Sequence, residues 1–118
     1  MDQMRVQFMK GVLAALASTG QVVTYDEIRR LCRLAQEQCG EYLGEARKAM
    51  VGAGQPDFCA VVVGASGTPG SGWGSADEWA QALRQAHEFW SDRRRMDNAE
   101  FRDKYGALPV EPGLPAER

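Results

Sequence analysis

The stretch Pro56–Gly74, PDFCAVVVGASGTPGSGWG, decides how this chain is organised. It begins as an apolar run from Phe58 to Val63, and the three consecutive valines favour a strand that is buried on both faces. The second half, residues 64–74, is a glycine-rich loop that predicts tight turns, with a hairpin and a short returning strand around residues 72–74 as one possible form. The segments on either side have helical periodicity. We therefore expect several helices arranged around one short strand.

Two helices are predicted before residue 36. Apolar residues recur at three- and four-residue spacing through residues 3–17, and a short extended segment follows at residues 21–23. Thr24 and Glu27 have the spacing of a capping box, so a second helix should begin there. We expect this helix to bury an apolar set and expose a basic one; the apolar set is Ile28, Leu31, Cys32 and Ala35, and the basic set is Arg29, Arg30 and Arg33.

A third helix is predicted from about residue 40 to residue 51, where glycines and Pro56 end it. Its narrow apolar face consists of Leu43, Ala46 and Met50. Polar or exposed positions are expected on the other side, at Tyr42, Glu45, Arg47 and Lys48. This helix is the candidate recognition helix of a helix-turn-helix.

The chain after the loop predicts a long helix and a short one. Ser75 and Glu78 repeat the capping pattern, and Trp79, Leu83 and Trp90 lie on one face of the helix that follows. That helix ends in the basic run 93–95, and Asp97 or Asn98 can cap a further short helix. We expect residues 1–105 to form one domain and the proline-rich residues 106–118 to form an extended, flexible tail.

The composition is that of a soluble globular protein. The 118 residues carry a net charge of -2, so the chain lacks the bulk basic character of many nucleic-acid binders, although local basic patches remain possible. The three cysteines are an odd number, and no secretory signal or long apolar span is visible. We therefore expect a cytoplasmic protein with reduced thiols and no membrane partner.

The order of these elements resembles the C-terminal domain of the alkylguanine-DNA alkyltransferase family. In that family a phenylalanine-bearing helix runs into Gly-x-Val-x-Thr-Tyr-x-x-Ile, and here Phe8 is followed by the matching segment 20–28, GQVVTYDEI. The family's active-site strand reads Pro-Cys-His-Arg-Val-Val, and here residues 58–64, FCAVVVG, stand in its place. The resemblance implies an α/β domain of winged helix-turn-helix type, with four to five helices and a short strand or hairpin.

The chain is more similar to an uncharacterised bacterial group with the same layout. The matching residues are Leu43-Gly44, the segment 54–56, the strand residues 60–63, and the loop 67–73, GTPGSGW. No activity is established for that group, so this likeness supports the fold and not a function.

The sequence departs from the alkyltransferase motif at the residues that carry the chemistry. Ala60 follows Cys59 where the family has the histidine that makes the thiolate, and Phe58 replaces the preceding proline. The only histidine is His87, far along the chain. The family's arginine that fills the space of a flipped base has a possible counterpart in Arg47. We therefore predict no catalytic residue, no cofactor and no metal ligand set.

Three functional hypotheses remain. The first is a non-catalytic DNA-binding protein that contacts duplex DNA through Arg29, Arg30, Arg33, Tyr42, Arg47 and Lys48. The second is a protein-interaction module, an accessory or inhibitory protein that acts on a larger complex and uses the tail and an exposed Trp73. The third is a thiol enzyme that uses Cys59. The sequence does not indicate the oligomeric state.

Overall fold

The computed structural model describes residues 1–108. Its helices are α1 (Gln3–Ser18), α2 (Tyr25–Leu31), α3 (Cys39–Gly52), α4 (Ala76–Arg95) and α5 (Asn98–Tyr105), and its strands are β1 (Val23–Thr24) and β2 (Val62–Val63). Short 3-10 turns occupy Gln36–Gln38, Phe58–Val61 and Ser71–Trp73. The predicted small α/β domain of mostly helical content is confirmed. Most of the predicted tail, from residue 109 onward, lies outside the described residues.

Local capping fixes where the helices begin, as the sequence predicts. The Thr24 hydroxyl accepts a hydrogen bond from the Glu27 amide (3.1 Å), and the Glu27 carboxylate accepts one from the Thr24 amide (2.9 Å). Ser75 caps α4 through the Glu78 amide, and Asp97, not Asn98, caps α5. These bonds satisfy amide groups that a helix start otherwise leaves unpaired.

The core lies where α1 packs against α3 and α4, with the 3-10 turn 58–61 between them. Phe58 is fully buried, and its ring meets the edge of Trp90 at 5.5 Å between centroids. Phe89 extends this aromatic cluster to Phe101 and Tyr105 on α5. The short central segment is therefore held by helices on several sides, which explains its apolar composition.

The prediction of a continuous strand over residues 58–63 is wrong for its first four residues. The Asp57 carboxylate accepts a hydrogen bond from the Cys59 amide (3.1 Å), and the Ala60 carbonyl accepts one from the Trp79 indole N–H (2.8 Å). These contacts hold the chain in a 3-10 turn, so only Val62 and Val63 are extended. Burial of the run is as predicted, but its conformation is set by partners outside it.

The two strands pair in parallel, with Val23 opposite Val62 and Thr24 opposite Val63. A parallel pair needs a long connection, and α2 and α3 provide it. The hairpin with a returning strand at residues 72–74 is also wrong, because Ser71–Trp73 form a 3-10 turn.

The predicted apolar face of α2 is wrong at two positions. Leu31 is 54% exposed and Ala35 is also exposed. The helix ends at Leu31, and Arg33 adopts a left-handed conformation (φ 55°) that redirects the chain. Leu34 is buried after this turn, whereas Ile28 and Cys32 are buried as expected.

Candidate functional site

The basic residues of α2 are already engaged with an acidic neighbour. Arg29 and Arg30 each place a guanidinium nitrogen 2.7 Å from the Asp26 carboxylate, and Arg29 also donates to the Leu34 carbonyl. The hydrogen bond from Arg29, followed by the charge of Arg30, lowers the pKa of Asp26, so this carboxylate is ionised at neutral pH. The Arg33 side chain is exposed and makes no ion pair or hydrogen bond within residues 1–108.

The basic residues of α3 are paired as well. Arg47 Nε lies 2.6 Å from Asp57 Oδ2, and Lys48 Nζ lies 3.1 Å from Glu45 Oε2. Both cations are largely exposed, while the Asp57 side chain is only 12% exposed. Asp57 therefore has two roles: one oxygen caps the 3-10 turn at Cys59, and the other holds Arg47.

Tyr42 does not lie with these residues. The sequence predicts an exposed side chain, but only 5% of it is exposed. Its ring packs in the core, and its hydroxyl accepts a hydrogen bond from the Asp2 amide (3.2 Å). Tyr42 therefore links the start of α1 to α3, and its side chain is not available to a partner that binds at the α3 surface.

A pocket of about 270 Å³ lies beside α3, between α2 and the glycine-rich loop. We call it the α3 pocket. Its lining consists of Tyr25, Leu43, Gly44, Arg47, Asp57, Cys59, Val62, Gly70, Gly72 and Trp73. The pocket thus combines two aromatic rings, an apolar floor and one ion pair, a composition typical of ligand sites.

The glycine-rich loop covers the pocket by close approach to Tyr25. A side-chain Cβ at Gly70 would lie only 2.6 Å from the Tyr25 hydroxyl oxygen, so the backbone can sit here only because residue 70 has no side chain. Trp73 lines the same pocket and is half-buried, which corrects the prediction that it is exposed. The loop is therefore a wall of the pocket.

Cys59 lines the α3 pocket, and its thiol is partly buried. Burial is the main cause of a strongly raised pKa, and the nearby Asp57 carboxylate raises it further. Its Sγ lies 3.6 Å from the Leu43 carbonyl oxygen. The one histidine, His87, is on α4 with Nε2 3.4 Å from the Gln21 carbonyl oxygen, so it is not placed to take the thiol proton. The geometry gives the thiol-enzyme hypothesis no support.

A second cavity, of about 430 Å³, adjoins the first. Its lining includes Arg29, Asp26, Gly40 and Gly64, and Tyr25 lines both cavities. The structure therefore brings Arg29, with its neighbour Arg30, to one side of Tyr25 and Arg47 to the other. The sequence could not show that α2 and α3 place these cations around one aromatic residue, because helix packing is not a local property.

Several pocket residues were missed by sequence reasoning. Tyr25 was noted only as part of the Thr-Tyr helix start, and Asp57 was not singled out. A signal for Asp57 was present, since an aspartate before a buried turn is a common cap of backbone amides. The partnership between Asp57 and Arg47 joins residues ten positions apart and depends on how α3 meets the turn.

Residues 1–108 contain neither a metal-binding cluster nor a membrane-spanning helix. No group of three or more His, Cys, Asp or Glu side chains in this range is arranged to hold a metal ion. None of its helices is both long enough and apolar enough to cross a membrane.

Comparison of the chain with protein-family models, curated protein sequences and solved structures gives no match. The resemblance to the alkyltransferase family therefore stays a prediction. The geometry of the α3 pocket and of the charges around it is the main ground for assigning a function.

Proposed function

We propose that the protein binds DNA without catalysing a reaction on it, and that the α3 pocket receives a nucleobase turned out of the duplex. The observation that carries this proposal is the lining of the pocket, where the rings of Tyr25 and Trp73 accompany the Arg47–Asp57 pair. Proteins that bind an extruded base combine aromatic or apolar walls with hydrogen-bonding groups for the base edge. In the proposed winged helix-turn-helix, α2 and α3 are the two helices, and α3 is the one that approaches the DNA.

The size and chemistry of the pocket favour one planar ring system. Its volume of about 270 Å³ is just below the ~300–1,000 Å³ of pockets for larger ligands. Arg47 offers hydrogen-bond donors and Asp57 offers an acceptor, so together they match an amide-like base edge that carries both. Since the Cys59 thiol is kept protonated by burial, a base in the pocket would be bound and not alkylated or dealkylated.

The charges around the pocket predict modest affinity. Arg30 and Lys48 are paired with carboxylates at the surface, and such exposed pairs are worth only ~0–1 kcal/mol, so phosphates can replace the carboxylates at small cost. Arg33 is free of a carboxylate partner within residues 1–108. Three phosphate contacts, from Arg30, Arg33 and Lys48, would give a slope of log K against log salt of about -2.7. The displaced carboxylates would still repel phosphates and reduce the affinity.

A duplex titration at two salt concentrations tests DNA binding. We expect fluorescence anisotropy with a labelled duplex to show binding that weakens steeply with salt, and Arg33→Ala to reduce the salt slope by about one phosphate's worth, ~0.9. Arg102→Ala is the matched control, because Arg102 is an exposed arginine on α5, outside α2 and α3. Absence of binding at low salt would refute the proposal.

A fluorescent base analogue tests the pocket separately. The emission of a duplex with 2-aminopurine opposite a mismatch should change on binding, because a base that leaves the stack exchanges its neighbouring bases for the rings of Tyr25 and Trp73. Trp73→Ala should alter this change while leaving most of the phosphate-driven affinity. Binding without any change in emission would keep the DNA interface and reject the base pocket.

A further inference from the structure

One face of α1 is apolar but not covered by the rest of the protein. Met4 is 82% exposed and Phe8 is 51% exposed, and both are on the helix surface at a spacing of four residues. Gly11 and Ala15 continue the same face, which carries no charged side chain over three turns. Scattered exposed apolar residues are ordinary, but a continuous stripe of them is typical of a binding surface.

The opposite face of α1 already forms part of the core. Val6, Met9, Leu13 and Ala17 are buried against α3 and α4. The helix is therefore apolar on two sides, whereas a helix at the surface of a protein without partners is normally polar on its outer side. The exposed stripe is not needed to hold the helix in place.

The stripe leads into a basic notch. A cavity of about 370 Å³ separates the C-terminal half of α1 from the end of α4, and its lining consists of Gly11, Ala14, Ala15, Ser18, Trp90, Arg93 and Arg94. Arg94 donates to the Ser18 carbonyl (3.1 Å) and has no carboxylate within ion-pair distance in residues 1–108. Its positive charge therefore has no carboxylate partner among the described residues, at the end of an apolar surface.

The indole N–H of Trp90 is buried in this region without a hydrogen-bond acceptor among the described residues. Burial of an unpaired donor is unfavourable. A carboxylate that comes within reach of it would supply the missing acceptor. This second observation points to a hydrogen-bond acceptor as the occupant of the notch, and beside Arg94 an acidic group is the acceptor that fits.

We propose that this surface, the α1 groove (Met4, Phe8, Gly11, Ala15 and Arg94), binds an amphipathic helix of another protein whose first turn carries an acidic side chain. From Met4 to Ala15 the groove is ~16 Å long at 1.5 Å per residue, which matches three turns of a partner helix. Apolar side chains of the partner at i, i+4 and i+7 pack on Met4 and Phe8, and the absence of side-chain bulk at Gly11 and Ala15 allows close approach. The acidic side chain binds Arg94.

The direction of the partner helix follows from the charges. An acidic side chain is most favourable in the first turn of a helix, where it meets the positive end of the helix dipole. Since Arg94 lies beside the C-terminal end of α1, the first turn of the partner lies there too. The partner helix therefore runs antiparallel to α1. This surface lies on α1 and α4, apart from the α3 pocket, so it goes beyond DNA binding and does not depend on it.

The proposal is tested by selection from a library of helical peptides whose exposed positions are randomised. The full-length protein is the target of the selection. We expect the enriched peptides to carry apolar residues at i, i+4 and i+7 and Asp or Glu in the first turn. An enriched peptide is then labelled and titrated by anisotropy. Phe8→Ala should weaken its binding at least about 10-fold, as loss of a central aromatic anchor does, while the exposed position of Phe8 leaves folding intact.

The role of Arg94 is isolated by a double-mutant cycle. Arg94→Gln should weaken binding of the acidic peptide about 5- to 10-fold. Binding of the matched peptide, in which Gln replaces the acidic residue, should not change. Arg102→Gln is the control substitution. Enriched peptides without an acidic first turn, or binding insensitive to Phe8→Ala, would overturn the proposal. A dimer in sedimentation analysis that Phe8→Ala dissociates would also overturn it, because the occupant would then be a second copy of this chain.

Discussion

Replacing Gly70 with alanine tests how closely the glycine-rich loop covers Tyr25. The new Cβ would lie 2.6 Å from the Tyr25 hydroxyl oxygen, against the 3.4 Å at which ordinary contact begins. Either the loop or the tyrosine must move by most of the 0.8 Å difference. Overpacking of this kind costs ~1–3 kcal/mol. Tyr25 is 39% exposed and has some room to shift, so we expect about 1–2 kcal/mol, the lower part of that range.

Tyr25→Phe identifies the source of this cost. Without the hydroxyl, the nearest atom to the new Cβ is Tyr25 Cζ at 3.7 Å, which is an ordinary contact. Gly70→Ala should therefore be destabilising in the natural background and nearly neutral in the Tyr25→Phe background. The coupling between the two positions should be about 1–2 kcal/mol, as for other side chains in direct contact.

Thermal and urea unfolding measure the effect, with Gly72→Ala as the control. A Cβ at Gly72 meets no atom within 4 Å, so this substitution in the same loop should be neutral or slightly stabilising. We expect Gly70→Ala to lower Tm by about 5–10 °C, because 1 kcal/mol shifts a small domain by roughly 4–8 °C. Equal costs in both backgrounds, or a Gly70→Ala variant as stable as Gly72→Ala, would refute the proposed contact.

Three further predictions concern reactivity and stability. The Cys59 thiol should react slowly with a disulfide reagent at pH 8 in the folded protein and rapidly in urea, because burial raises its pKa; fast stoichiometric labelling of the folded protein would contradict this. Asp92→Asn should reduce the free energy of unfolding by about 1.5–3 kcal/mol, since it removes charge-assisted hydrogen bonds from Lys104 and Tyr105, both at 2.7 Å. Although burial opposes ionisation of Asp92, those bonds lower its pKa below the ordinary 3.8. The stabilisation by Asp92 should therefore be present at neutral pH and be lost as the pH falls below about 4. A difference in unfolding free energy between natural protein and variant that is the same at pH 3 as at pH 7 would argue against this. Thr24→Ala should cost about 1 kcal/mol by removing the cap of α2, and Thr24→Ser, which keeps the hydroxyl, should cost less; equal losses would assign the effect to strand β1 instead.

The sequence determined the features that depend on near neighbours. The Thr24–Glu27 box and the caps at Ser75 and Asp97 each join groups three residues apart. Both partners of each hydrogen bond can therefore be read from a short stretch of sequence. The apolar spacing of α4 likewise predicts which side of the helix faces the core, and Trp90 on that side is buried. The elements with these signals form at the predicted places.

Tertiary structure alone decided the conformation of the central run and the composition of the site. The valines indicated burial correctly, but the Trp79 indole N–H, from a helix much later in the chain, binds the Ala60 carbonyl and helps to hold the preceding residues in a turn. Tyr42 lies one turn before Ala46 on the buried side of α3, but only the packing of the start of α1 against α3 brings the Asp2 amide to its hydroxyl. The α3 pocket and the α1 groove arise in the same way. Hydrogen bonds and packing between distant segments are decided by which surfaces meet, and a local pattern carries no information about the surface it will meet.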